Sequence, residues 1–209
     1  MPIPVAGRWL MTIRRGAVIA AASVFLLAWV AGADPLIANR PKTWAQPVKL
    51  AGVPNLYRVS DALYRSGQPS HLGMENLKKL DIKTILNLRS FHSDRDEIGK
   101  TGLACEHIPM KAWHPEEEDM VRFLKIVTDP QRAPVLVHCQ HGSDRTGTMI
   151  AVFRIAVQGW SKVEAMQEMT EGGFGFHRTW SNLPNWIQKL NIDRIKRQAG
   201  IKSLTAQAD

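Results

Sequence analysis

The 209-residue chain is 44% hydrophobic and 22% charged, with 27 basic against 19 acidic side chains. That composition suits one globular domain with extra ends and excludes a disordered or low-complexity polymer. Two cysteines are too few for a disulfide framework and lack metal-ligand spacing. No stretch has a zinc-finger or RNA-binding signature, so neither a metal nor a nucleic-acid partner is expected.

Arg8, Arg14 and Arg15 give the chain a basic start, residues 16–30 run without a charge, and Ala31-Gly32-Ala33 is a small-x-small cleavage pattern. This order reads as a signal peptide over residues 1–33, either removed or kept as a membrane anchor through residues 16–33. With its basic side in the cytoplasm the rest of the chain faces outward, so a periplasmic, exported or inner-membrane-anchored protein is expected. Without the leader, 24 basic groups remain against 19 acidic ones, a balance that suits an anionic substrate. Residues 34–54, with Pro35, Pro41, Pro47 and Pro54, read as a linker, residues 55–200 as the folded domain and 201–209 as a tail.

Within the domain, Leu56–Val59 and Leu63–Ser66 read as short strands. Ser70 is placed to cap a helix reaching Leu80, and the β-branched run Ile82–Leu88 predicts a buried strand. A polar loop, Ser90–Asp96, precedes a strand over Leu103–Met110. Pro115 then opens a helix to about Thr128 with glutamates in its first turn. Ala133–Val137 predicts another buried strand. Thr146–Gln158 is apolar at helical spacing and stops at Gly159, and Ser161 with Glu164 forms a capping box for a helix ending at Gly172-Gly173. One last helix is expected over Leu183–Gln198. Alternating strands and helices predict an α/β domain, a mostly parallel central sheet of four or five strands with helices on both faces.

The chemistry concentrates where the last strand meets the helix after it. A strand ending at His138, a tight loop and a helix starting near Thr146 direct loop amides and a helix N-terminus at one point, which binds a phosphate-sized anion. Gln140, His141, Gly142, Ser143 and Asp144, closed by Arg145, form that loop. The same field favours a thiolate, so Cys139 is the expected nucleophile. Arg145 offers a planar fork matched to two phosphate oxygens, Thr146 a hydroxyl for the sulfur, and His138 a backbone contact behind the loop.

His138-Cys139-x-x-Gly142-x-x-Arg145-Thr146-Gly147 resembles the active-site loop of the cysteine-based protein phosphatases. Leu63-Tyr64-Arg65-Ser66-Gly67-Gln68-Pro69 and Ile82–Arg89 resemble the opening of compact dual-specificity phosphatases. Gly159-Trp160 and Glu168 to Gly175 are similar to a bacterial branch of exported, biofilm-related tyrosine phosphatases. The resemblance implies hydrolysis of a phosphorylated protein, at tyrosine and also at serine or threonine, through a phosphocysteine and with no metal or organic cofactor. An inositol phosphate or phosphoinositide substrate is one alternative, and a non-catalytic phosphate-binding module another.

Such enzymes need a proton donor for the leaving oxygen. The family's upstream aspartate would align with Lys111–Trp113, where no acid stands. The candidates are therefore Glu116, Glu117, Glu118 and Asp119, whose charges also suit a helix start; Asp94 and Asp96 in an earlier loop; and Asp144. An acid inside the phosphate loop opposes anion binding unless it is protonated or turned away. Myotubularin-type inositol-lipid phosphatases resemble this chain there, which implies Asp144 as the acid; bracing the loop or pairing with His141 is the plainer role. Phe174, Phe176 and His177 read as a packed corner or a pocket rim. Cys105 reads as core, or, in an oxidising compartment, as a disulfide partner for Cys139.

Overall fold

The computed structural model describes Met1 and residues 40–202. The leader and the tail beyond residue 202 lie outside the described residues, and with them the expectation of membrane attachment. Among the described residues no helix is long and apolar enough to cross a membrane.

Six strands form one sheet: β1 (Gln46–Pro47), β2 (Tyr57–Arg58), β3 (Leu63–Ser66), β4 (Thr84–Asn87), β5 (Ala104–His107) and β6 (Val135–His138), in the order β1-β2-β3-β6-β4-β5. β3, β6, β4 and β5 run parallel, and β1 and β2 add an antiparallel edge. The sheet is therefore α/β and mostly parallel, with one strand more than the count expected from sequence. That strand, β1, falls inside the expected linker, which the structure corrects over residues 40–54. Ala45 is fully buried, Val48 N–H donates to Leu56 O at 2.9 Å, and Pro47 sits on an edge strand, where a missing N–H is tolerated.

Seven helices accompany the sheet among the described residues: α1 (His71–Lys79), α2 (Arg95–Ile98), α3 (Glu117–Val127), α4 (Asp144–Ala156), α5 (Lys162–Glu171), α6 (Asn182–Lys189) and α7 (Ile192–Ala199). Strand alternation sorts them. Ile85 and Leu136 pack with Met74, Leu77 and Ile98 of α1 and α2, whereas Leu86, Val135 and Val137 pack with α3 to α7. α4 is buried on nearly every side, with Met149, Ile150, Val152 and Phe153 in the larger core, so its N-terminus cannot drift relative to β6.

Local signals act as expected at two starts. Ser70 Oγ accepts from Gly73 N–H at 3.2 Å, and Ser161 and Glu164 satisfy each other's backbone N–H at 3.2 and 2.9 Å. The single last helix is corrected to two. Leu190 turns extended and buries, Asn191 caps the restart by accepting from Arg194 N–H at 3.0 Å, and Lys162 Nζ donates to the carbonyls of Gln188 and Leu190 at 2.7 and 2.8 Å. β5 is corrected as well: it is a short edge strand whose Cys105 is exposed, not core.

Candidate functional site

β6 ends at His138 in the middle of the sheet, and the chain turns through residues 139–143 into α4. Three successive carbonyls of that turn are tied down. Gln140 O accepts from Gln68 N–H at 3.1 Å, His141 O from Asn55 Nδ2 at 2.9 Å and Gly142 O from Arg65 Nη2 at 2.6 Å. A trans peptide holds each N–H opposite the preceding C=O, so the N–H groups of His141, Gly142 and Ser143 point away from these partners. None of the three donates to another group among the described residues. Gly142 is required for this geometry. Its φ is 76°, and a Cβ there would stand 2.5 Å from Ser66 and Gly67 backbone atoms.

The turn forms one wall of a cavity of about 550 Å³. Gln140, His141, Asp144 and Arg145 line it, together with Arg89, Phe91, Trp113 and Trp180. Cys139, at 2% exposure, lies one residue from this lining and packs into the larger core. The Thr146 hydroxyl is fully buried and has no hydrogen-bond partner among the described residues, the Cys139 sulfur included. Beneath the turn lies Arg65, fully buried, its guanidinium 3.6 Å from the Phe174 ring centroid. Burial pulls Arg65 down to about 10, partly offset by Glu168 and Cys139, which leaves it a cation at neutral pH.

His138 does orient the turn from behind: its Nδ1 lies 3.3 Å from Cys139 O, and its Nε2 bonds Asp94 Oδ2 at 2.7 Å. Asp94 also accepts from Gln68 Nε2 at 2.8 Å, and Gln68 Oε1 accepts from Arg89 Nη1 at 2.9 Å. A polar chain therefore runs from the pocket wall to the Cys139 backbone. Burial alone would push the Asp94 carboxyl up, but the His138 and Gln68 hydrogen bonds and the nearby His138 and His92 outweigh it and hold it below the usual carboxylate range. Asp94 and Asp96 line a different depression, beside Cys105, which removes both as proton donors to this pocket.

The other acid candidates separate clearly. Glu117 is paired with Arg194, Glu116 lies 3.8 Å from His114, burial and then Glu116 push Asp119 up, and none of residues 116–119 lines the pocket. Ala112 and Trp113 occupy the wall where the upstream acid was expected. Asp144 does line it, but its partner is His177 rather than His141. His177 N–H donates to Asp144 Oδ1 at 2.9 Å, and His177 Nδ1 lies 2.8 Å from Oδ2. Phe174 is a packed corner, whereas His177 rims the pocket.

Sequence reasoning missed Arg65, Gln68 and Arg89 as parts of the site; the run Leu63–Pro69 and its resemblance were the available signal. The disulfide expectation fails on register. His138, Asn87 and His107 align across two strand spacings, roughly 10 Å, and Cys105 and Cys139 lie three residues apart along the strands, roughly another 10 Å. A bridge needs Cα atoms within about 7 Å. Among the described residues one group of metal-type donors converges, His92, Asp94 and Glu97 within 4.8 Å, away from the pocket and with Asp94 already engaged.

A family model described as "Tyrosine phosphatase family" matches residues 53–208. The chain is 33% identical over 173 residues to the dual specificity protein phosphatase TpbA of Pseudomonas aeruginosa, covering 82% of this chain and 78% of the relative. A crystal structure of a TpbA variant in complex with pTyr superposes with a TM-score of 0.70 at 31% identity, covering 78% of this chain and 99% of that one. The catalytic core of the PP-IP phosphatase SIW14 from S. cerevisiae gives 0.64 at 26% identity, with 73% and 94% covered. The turn at residues 138–147 and these likenesses together identify the chain as a phosphatase enzyme that belongs to the tyrosine phosphatase family.

Proposed function

We propose that the chain hydrolyses phosphotyrosine in protein through a phosphocysteine, with Cys139 as nucleophile. The carrying observation is the set of N–H groups at residues 141–143, unpaired among the described residues and facing away from their anchored carbonyls, beside Arg145. Such donors hold the equatorial oxygens of a phosphoryl group and gain strength as charge spreads over them in the transition state. The Cys139 thiolate attacks phosphorus, the S–P bond forms as the P–O bond breaks, and Arg145 holds two oxygens in line. Water then releases phosphate and restores the thiolate. Membership of an enzyme family sets aside a purely binding role for the turn.

The rim supports an aromatic phosphate ester. Phe91 is 93% and Trp113 61% exposed, and with Trp180 they line the cavity wall, side chains whose exposure is costly unless they meet a flat apolar group. The likeness to a TpbA–pTyr complex supports the same substrate. A second reading, an inositol phosphate, draws on the Arg89, His141 and His177 lining and on the likeness to a PP-IP phosphatase. Phosphate release from a phosphotyrosine peptide, a phosphoserine peptide and inositol phosphates, each beside a Cys139→Ser variant, decides between them. Faster turnover of inositol phosphates than of every peptide would remove the first reading. Residues 1–33 support a site of action outside the cytoplasm. A fusion of this leader to a reporter active only after export should be active, and a silent reporter would refute that placement.

A further inference from the structure

The geometry points to His177, held by Asp144, as the group that protonates the leaving oxygen and later takes the proton of water. This inference rests on the phosphocysteine reading and completes it by naming the proton donor. Asp144 is the one carboxylate among the lining residues, and the wall position of the expected acid holds Ala112 and Trp113.

Asp144 is poorly placed to exchange the proton itself. Both of its oxygens accept from His177, at 2.9 and 2.8 Å, and its side chain is 10% exposed against 49% for His177. The carboxylate fixes the imidazole with its proton on Nδ1, which leaves Nε2 as the nitrogen that exchanges protons. The pairing also answers the cost of an acid in a phosphate loop. A carboxylate whose two oxygens both face His177 donors turns less of its charge toward the incoming dianion.

The ring is held by the same contacts that hold the turn. Asn55 Nδ2 bonds both His141 O and Phe174 O at 2.9 Å, and Ser143 Oγ donates to Phe174 O at 2.7 Å. Gly173 and Gly175, with φ of 72° and 80°, then bring residue 177 back over Asp144, where its ring centroid lies 5.4 Å from that of His141. In the first step the S–P bond forms, the P–O bond breaks, and the leaving oxygen takes the proton from Nε2, leaving a neutral ring still bonded to Asp144. In the second step water attacks phosphorus, its proton goes to Nε2, and the S–P bond breaks. Alcohol and inorganic phosphate leave, and the thiolate and imidazolium are restored.

The test is the dependence of rate on leaving group, measured on the full chain with p-nitrophenyl phosphate, phenyl phosphate and an alkyl phosphate. A poor leaving group needs the proton and a good one does not. The unsubstituted protein should show a shallow dependence. His177→Gln should cost under about 5-fold on p-nitrophenyl phosphate and about 10²–10³-fold on the alkyl ester, within the range for one acid–base group. Added imidazole should restore part of the alkyl-ester rate of His177→Ala. Equal losses on all three esters, or no rescue, would overturn the assignment. So would a steep dependence in the unsubstituted protein, which needs no variant to fold. Activity surviving in Cys139→Ser would instead refute the phosphocysteine reading.

Discussion

Replacing Gly142 by alanine tests the phosphate-binding turn at its tightest point. Two costs add there. The residue sits at φ 76°, where a side chain costs about 1–2 kcal/mol. Its new Cβ would lie 2.5 Å from Ser66 and Gly67 backbone, short of the 3.4 Å of ordinary contact, so the turn must move by roughly 0.9 Å. A misplacement of about 1 Å costs on the order of 10²-fold in rate, near 2.7 kcal/mol of transition-state stabilisation. Gly159 supplies the control, with φ 74° and nothing within 4 Å of its would-be Cβ. Gly159→Ala should lose roughly 2–8 °C in Tm, taking about 2–4 °C per kcal/mol, and Gly142→Ala at least as much. Only Gly142→Ala should lose about 10²-fold in kcat/KM on p-nitrophenyl phosphate, with weaker inhibition by vanadate. A Gly142→Ala enzyme within about 3-fold of the unsubstituted rate would show that the amides of residues 141–143 do not form the recognition surface.

Arg154 and Glu168, at 2% and 1% exposure, share two hydrogen bonds of 2.7 Å, so Arg154→Met strands a buried carboxylate and should cost about 3–5 kcal/mol in denaturant unfolding. Arg154→Met combined with Glu168→Leu should be less destabilised than the single change, and a double variant that loses more would refute the pairing argument. The Asp94 carboxyl, held below the usual range, contributes stability fully present above the unfolded carboxylate range and lost as pH falls through its folded value. Asp94→Asn should therefore lower stability near neutral pH by about 1.5–3 kcal/mol and flatten the acid limb of the stability profile; parallel profiles would refute it. Peroxide should inactivate Cys105→Ser and the unsubstituted enzyme alike, because the strand register keeps Cys105 from Cys139, and a cross-linked peptide in mass spectrometry would contradict that register. Partial desolvation, then Asp94 and Glu106, also hold the Cys105 thiol up, away from the reactive thiolate.

What the sequence made legible was local. Ile82–Leu88 and Ala133–Val137 are apolar runs; β4 formed within the first at the centre of the sheet, and β6 overlaps the second and ends one residue later, at His138. Ser161 and Glu164 speak to each other across three residues, and the box formed. The turn at residues 138–147 was visible because strand, cysteine, glycine and arginine are adjacent in the chain. The misreadings came from distant partners. The prolines of residues 40–54 look like a linker until Glu168 is known to accept from Ala45 N–H at 2.6 Å, 123 residues away. Asp144 and His177 lie 33 residues apart with no shared periodicity. The break at Leu190 leaves the helical pattern intact, since Leu183 and Ile187 before it and Ile195 and Ala199 after it are buried at the same four-residue spacing. The edge position of β5 follows from strand order, which no window of residues encodes.

The run from Arg89 through Gln68, Asp94 and His138 to the Cys139 carbonyl gives the enzyme a single strut with one end in the cavity and the other at the backbone of the proposed nucleophile. Its middle member, Asp94, opens onto a separate hollow. Substitutions on that remote surface should therefore register as defects of turnover, and a screen confined to cavity residues would overlook one of the positions that hold the proposed nucleophile in place.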